Sequence, residues 1–489
     1  MAFEHDKDPV FLRKAAGVLE SENRRLLQQN IELRERVKVL EGHEPAQLAL
    51  QNEELQRQLA LRNKKIFGKS SEKRPRDDAG ADGQGAPQTG HGPREQTALD
   101  VVERVHQLDP QDRVCTQCGG ALQAWDGQFE AAEEIDVIER RYVRVVQKRQ
   151  KYRCGCGSCI ETALGPDRLI PGGRYSVGFA VHIVVAKYAD HLPLDRQTRI
   201  MKRLGLRVES QTLWDQIDAL AKVLEPLYRR LRAYLLLQAT LGADETHWRV
   251  MGSDKQRWQV WTMCAADGVY YQLEDSRSAQ AAKELLGDFA GKLMCDGYSA
   301  YQALKKQGAK FELAHCWAHV RRKFVEVDEL HPGLCTEVLD MIGKLYEVER
   351  AARDELPEER ARLRRERSTE IVKRIHCWAL EQRALPQSPL GKAIAYLGSM
   401  WEGLQVFLHD PAVPIDNNAV ERALRGVVVG RKNHYGSKSR RGTEVAAILY
   451  SLVESAKLVG ADPDAYLRAV TAATLRGDQA PLPHEFVAN

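Results

Sequence analysis

Apolar residues recur at every seventh position near the start of the chain: Leu12, Leu19, Leu26, Leu33 and Leu40, with Ala16, Asn23, Asn30 and Val37 at the alternate seam position. A sustained seven-residue repeat lays one stripe along a helix and predicts a coiled coil. Asn at the second seam position costs stability but sets register and favours two parallel strands. The stripe resumes after Gly42 and Pro45 with Leu48, Asn52, Leu55, Leu59 and Ile66, so residues 1–68 are expected to form a leucine-zipper coiled coil that makes a homodimer or a higher assembly. An amphipathic helix packed on its own domain is the plainer alternative, and five Leu in strict register argue against it. Residues 69–97 lose the pattern. Gly, Pro and charge dominate there, too little apolar mass to offset ordering entropy, so a flexible linker is expected.

Over residues 98–168 short strand-like runs surround cysteines: CTQCGG at 115–120, an alternating RRYVRVVQKRQKYRC at 140–154 and CGSC at 156–159. Two knuckles that each supply two thiolates satisfy tetrahedral Zn2+, so a zinc ribbon with a structural zinc ion is expected. Cys115 and Cys118 are one pair, and two of Cys154, Cys156 and Cys159 complete the set. Residues 169–237 read as helical. Within LPLDRQTRIMKRLGLRVESQTLWDQIDAL a first helix, a turn at Gly205 and a second helix capped by Ser210 have helix-turn-helix spacing. In a DNA-binding motif of that kind Gln211 and Thr212 would face base edges, with Arg203 and Arg207 near phosphates. An ordinary helical hairpin fits the same pattern.

From 238 onward the periodicity changes to that of strands. ATLGADETHWRVM, RWQVWTMCAA and VYYQLE predict an antiparallel meander, followed by a helix at 278–289, a strand at 292–296, a helix at 299–307 and a strand at 310–316. Three antiparallel strands followed by alternating helix and strand is the element order of a ribonuclease H-like core. In that fold Asp244 lies inside the first strand and Asp296 at the end of the fourth, beside it in space. Glu421, one turn into a helix that Asn417 or Asn418 can cap, is the candidate third carboxylate. Glu421 follows Asp296 by 125 positions, far too many for a loop. The fold class is therefore multidomain α/β plus α: core residues 238–325 and 411–441, a helical insertion at 326–410, and a C-terminal helical extension at 442–489.

Three convergent carboxylates suit phosphodiester chemistry with two Mg2+ ions, for which Mn2+ can substitute, because hard cations take oxygen ligands. On that scheme Asp244 bridges both ions, Asp296 holds one and Glu421 the other. Singly, each acid is more ordinarily a surface charge, and Glu421 could pair with Arg425. From Arg422 to Arg441 there are seven Lys or Arg and no acid: Arg422, Arg425, Arg431, Lys432, Lys438, Arg440 and Arg441, interleaved with His434 and Tyr435. Such a segment can follow a phosphate backbone while the aromatic ring stacks on an unpaired base. Arg321, Arg322 and Lys323 add a second basic cluster beside Cys316 and His319, which have metal spacing but no evident partner pair.

The chain has 489 residues, 43% hydrophobic and 29% charged, which excludes wholesale disorder and a single compact domain. A net charge of +4 does not by itself identify a polyanionic partner. No targeting segment or apolar stretch near 18 residues stands out, so a cytoplasmic protein without a membrane partner is expected. Five of the ten Cys crowd into 115–159, a distribution that favours thiols and metal over disulfides.

These residues resemble the bacterial DDE transposases of the insertion sequence 66 family. The likeness covers nearly the whole chain and rests on the coiled coil, the cysteine segment, LIPGGRYS (169–176), KYADHLPLDRQ (187–197), SQTLWDQ (210–216), ADET (243–246), CDGYSAY (295–301), HCWAHVRRKF (315–324) and IDNNAVERALR (415–425). The resemblance implies that Asp244, Asp296 and Glu421 are the catalytic triad and that Cys316 and His319 are the Cys-x-x-His signature before the inserted domain. It also implies terminal inverted repeats and target DNA as substrates, and accessory proteins encoded by the same element. Cysteine spacing at 154–159 is denser than the family's simple Cys-x-x-Cys. A transcription regulator with a degenerate nuclease-like body and a structure-specific DNA nuclease are the alternatives; an intact acidic triad speaks against the regulator.

Overall fold

The computed structural model describes residues 142–153, 160–255 and 257–488. The expected coiled coil and linker, and Cys115, Cys118, Cys154, Cys156 and Cys159, lie outside the described residues. Strand β1 (Lys151–Arg153) pairs antiparallel with β2 (Ile160–Thr162), Lys151 opposite Thr162. The alternating run from 140 predicted a longer strand, yet residues 142–150 carry no regular structure. Val143, Val145 and Val146 are 76%, 65% and 70% exposed, so the alternation has no buried face to hold it extended.

Three helices follow. The hydroxyl of Ser176 caps α1 (Val177–Tyr188) by accepting from the Phe179 amide at 3.1 Å. Helix α2 (Leu194–Arg203) ends at a turn where Gly205 takes φ +84°, a conformation cheap only for glycine. Helix α3 (Ser210–Leu235) buries Leu213, Ile217, Leu220, Leu224, Leu227, Leu231 and Leu235, one stripe at helical spacing. Ser210 is its first residue and not its cap: the extended cap conformation falls on Glu209, which makes no side-chain cap bond.

The central sheet joins β3 (Thr240–Arg249), β4 (Arg257–Cys264), β5 (Val269–Glu274), β6 (Lys292–Cys295) and β7 (Glu312–His315) in the order β5-β4-β3-β6-β7. The meander β3-β4-β5 is antiparallel, whereas β6 joins β3, and β7 joins β6, in parallel. Helices α4 (Ala279–Leu286) and α5 (Ser299–Lys306) supply the crossovers that parallel pairing needs. Residues 245 and 261 are register partners, and Trp261 packs edge-on against Tyr301 of α5, which identifies the face these helices cover.

Between β7 and the last part of the core lies a helical body: α6 (Trp317–Val325), α7 (Pro332–Ala351), α8 (Pro357–Leu363), a π-helical turn (Arg364–Ser368), α9 (Thr369–Glu381), α10 (Pro389–Ser399) and α11 (Trp401–His409). Trp317, Phe324, Ile342, Leu345, Ile375, Leu397 and Leu404 belong to one buried cluster within it. The opposite face of the sheet is covered by α12 (Asn418–His434) and α13 (Arg440–Leu458), ahead of α14 (Pro463–Arg476) and α15 (Pro483–Val487). Helix α13 is buried against edge strand β5. Its Ser451 hydroxyl accepts from the Tyr271 amide at 2.9 Å, while Ser455 accepts from the Val269 amide at 2.8 Å and donates to the Val269 carbonyl at 2.9 Å. Those serines, one helical turn apart, satisfy backbone groups of an edge strand that would otherwise be unpaired.

Candidate active site

Asp244, Gly242 and Thr262 share the sheet face under α12, because Asp244 is the register partner of Thr262 and residues two apart on a strand point the same way. Gly242 permits the approach of α12: a Cβ there would lie 2.4 Å from Val420 and 2.9 Å from the Asn417 side-chain oxygen. Asn417, expected as a cap, makes no cap bond; its Nδ2 donates to the Ala243 carbonyl at 3.0 Å and ties the start of α12 to the strand that carries Asp244. Its own amide donates to Cys316 Sγ at 3.2 Å, and the Trp317 amide donates to the Ile415 carbonyl at 3.1 Å. One turn on, the Glu421 amide closes on the Asn417 carbonyl at 3.2 Å.

Asp296 follows the last residue of β6 directly. Gly242 pairs with Met294, so two residues further along the parallel ladder Asp296 comes level with Asp244. Gly297 at φ +86° turns the chain, and the Asp296 carboxylate accepts from the Tyr298 amide at 2.9 Å. The hydroxyl of Tyr396, on the inserted α10, donates to the Asp296 carbonyl at 2.6 Å.

The three acids feel one another. Burial pushes the Asp244 carboxyl up to about 7, the negative charges of Asp296, Glu245 and Glu421 add to the rise, and the Glu245 amide, donating to Asp244 Oδ1 at 2.8 Å, opposes it. His319 Nε2 stands 3.5 Å from Glu421 Oε1, and Arg322 stands 3.8 Å from its other oxygen. Burial lowers the His319 pKa against the upward pull of Asp296 and Glu421. Cys316 takes no part in this cluster. It sits 2% exposed in the helical core, its thiol pushed up to about 12 by burial, and it anchors Asn417.

Sequence reading passed over Glu245, Arg277 and Tyr396. Glu245 is clamped by Arg277, whose Nε lies 2.9 Å from it and whose guanidinium lies over the Tyr298 ring at 4.2 Å. The adjacent acids of ADET were a visible signal; the partners were not.

The basic candidates divide. Arg203, Arg207, Arg422, Arg425, Lys432, Tyr435, Lys438 and Arg440 are exposed, as is Gln211, which bonds Asp215 at 2.8 Å; Thr212 and Arg321 are half-buried. Lys323 lies 3.9 Å from Glu326 and 5.8 Å from the centre of the Tyr396 ring. Others are engaged within the protein. Arg431 donates to Thr246 Oγ1 at 3.2 Å and to the His247 carbonyl, and Arg441 pairs with Asp218 at 2.7 Å. His434 faces the Tyr450 hydroxyl at 3.3 Å, and burial, with Lys187 and His191 nearby, lowers its pKa to about 3.

The donor set of Asp244, Asp296 and Glu421 suits a hard divalent cation. Glu421 Oε1 is buried without a hydrogen-bond partner, and burial, with the neighbouring carboxylates, holds the Asp244 pKa up. Among the described residues no group of three or more His, Cys, Asp or Glu side chains stands placed to hold an ion as it is.

The sheet thus carries Asp244 within β3 and Asp296 just after β6, and a helical body separates them in sequence from Glu421 on α12. The sequence profile of the Transposase IS66 family matches residues 172–445, and the chain belongs to that family. Among its relatives is the uncharacterized protein y4jD of Sinorhizobium fredii (strain NBRC 101917 / NGR234), 34% identical over 74% of this chain and 75% of the relative. The uncharacterized proteins y4qI and y4hP of the same organism are 32% and 28% identical, covering 75% and 76% of this chain and 71% and 72% of their own lengths. No solved structure gives a significant match. No helix among the described residues is long and apolar enough to cross a membrane.

Proposed function

We propose that the protein is a metal-dependent DNA transposase that binds terminal inverted repeats, hydrolyses a phosphodiester bond at the element end and joins the freed 3′ hydroxyl to target DNA. The observation that carries this reading is the parallel register that brings Asp296 level with Asp244, with Glu421 on the helix α12 packed over the strand that bears Asp244. The strand order β5-β4-β3-β6-β7, antiparallel and then parallel, supports a ribonuclease H-like core beneath it.

In this proposal Asp244, Asp296 and Glu421 hold Mg2+, with Mn2+ able to substitute. Bound there, the divalent ions supply activation of the attacking oxygen and charge stabilisation at the departing one. The chain's own groups do the rest. The Glu245 amide and the Tyr298 amide orient two carboxylates, and Arg322 and His319 place positive charge and a polar edge beside Glu421. Exposed Arg422, Arg425, Lys432, Lys438 and Arg440, on α12 and the segment after it, offer charge to a phosphate backbone near the site. Arg203, Arg207 and Gln211 offer a second contact surface at the α2–α3 turn. The zinc ribbon and the coiled coil belong to this proposal as a structural zinc module and a dimerisation element.

A labelled duplex carrying the inverted repeats that flank the coding region is the substrate for the test. Asp244→Asn, Asp296→Asn and Glu421→Gln should each lower Mg2+-dependent nicking by about 10³-fold or more, since metal-borne charge stabilisation supplies several kcal/mol. A folded variant that nicks as the wild type does would end the proposal.

A further inference from the structure

On the sheet face turned away from α12, β3 and β4 border an open cavity of about 360 Å3 lined by Glu245, Thr246, His247, Arg257, Gln259 and Arg277. The strand register explains its composition. Glu245 lies opposite Trp261, His247 opposite Gln259 and Arg249 opposite Arg257, so these side chains project from one face of the β3–β4 ribbon, next to the area covered by α5.

Its charge is unbalanced. Glu245 is already neutralised by Arg277, a guanidinium fixed in place over the Tyr298 ring. Arg249 and Arg257 are exposed, stand directly opposite each other, and form no ion pair among the described residues. Like charges directly opposite on an antiparallel pair are destabilising, and the repulsion is relieved when an anion sits between them. The cavity also adjoins the acidic site: Glu245 follows Asp244 in β3, and Tyr298, which supports Arg277, donates its amide to Asp296.

We propose that this cavity seats a backbone phosphate of the bound DNA strand flanking the acidic site, held by Arg257 of its lining with Arg249, the register partner of Arg257, reaching it from outside the lining, and with Gln259 and His247 turned to the attached sugar or base edge. This inference rests on the transposase reading. The volume is within the range of ligand cavities, roughly 300–1,000 Å3, and accommodates one phosphate with part of its nucleoside. The repulsive arginine pair is retained at a cost in stability that binding offsets.

Full-length protein and a fluorescent terminal-repeat duplex with a single-stranded end provide the test, read by anisotropy over a salt series without divalent ions. Arg257→Ala should weaken binding about 10-fold and flatten the slope of log K against log salt by about 0.7 to 0.9, the loss of one phosphate contact. Its thermal midpoint should equal or exceed that of the wild type, since repulsion with Arg249 is gone; a merely structural arginine would move it downward. Arg257→Lys should recover most of the binding, and Arg476→Ala, distant and paired with Asp478, should change nothing. Unchanged affinity and slope in Arg257→Ala would overturn the inference. So would displacement of the duplex by millimolar inorganic phosphate, which would mark a site for free anions. Binding is read without cleavage, so a wild type that binds but never nicks would count against the transposase reading and not against the cavity.

Discussion

His434 shows how burial turns a basic side chain into a structural one. Its imidazole lies between Tyr450 and the Gly436 carbonyl, and with Lys187 and His191 nearby its pKa falls to about 3. The folded state therefore holds it neutral while the unfolded chain protonates it below its ordinary value of 6.5. A depressed pKa contributes stability that is present above the unfolded value and lost as pH falls towards the folded one. His434→Gln should therefore flatten the loss of stability between about pH 6.5 and pH 4, measured by urea unfolding at constant ionic strength. Residue type singled out Asp244, Asp296 and Glu421 as candidates, because hard-ion chemistry needs carboxylates. It could not announce Arg277 as the partner of Glu245, 32 residues away, or Tyr396 as the support of Asp296, 100 residues away. Nor could it show that Cys316 faces the core while His319, one turn on, faces Glu421.

Contact between α12 and β3 is the element-level feature on which Glu421 depends. It is close because Gly242 has no side chain, and it is oriented because Asn417 bonds the Ala243 carbonyl. Gly242→Ala would drive a methyl into Val420 and Asn417. The expected cost is about 1–3 kcal/mol by denaturant titration, typical of overpacking, with a larger proportional loss of nicking because α12 is displaced from Asp244. Hydrophobic periodicity located β3, β4, β5 and the helices α1 to α3 well, since those patterns are local and strong. It failed at 142–150, where alternation without a burying partner does not make a strand. It also placed an extension from 442, whereas the helix begins at Arg440 and its serines seal the edge of β5. A serine at helical spacing carries no sign of the strand it will meet.

Across the whole molecule, the inserted helices connect the two acids they separate in sequence. Tyr396 bonds the Asp296 carbonyl, and a Cβ at Gly297 would collide with Met400, so α10 and the residue after it lie over the Asp296 turn. At the other end Arg364, 1% exposed, pairs with Glu349 at 2.7 Å and donates to the carbonyls of Phe407, Asp410 and Val413, on the approach to α12. Arg364→Leu should cost about 3–5 kcal/mol in chemical unfolding because Glu349 would be left without its counterion. The double variant with Glu349→Leu should regain part of that loss and isolate the pairing from its packing. Sequence alone determined the element types, the candidate triad and the family likeness, because periodicity and residue chemistry are written in short stretches of chain. Tertiary structure alone decided which acid meets which cation, that α13 completes the sheet, and that the insertion braces both ends of the site. Such contacts join residues that only packing brings within reach, and no local pattern encodes them.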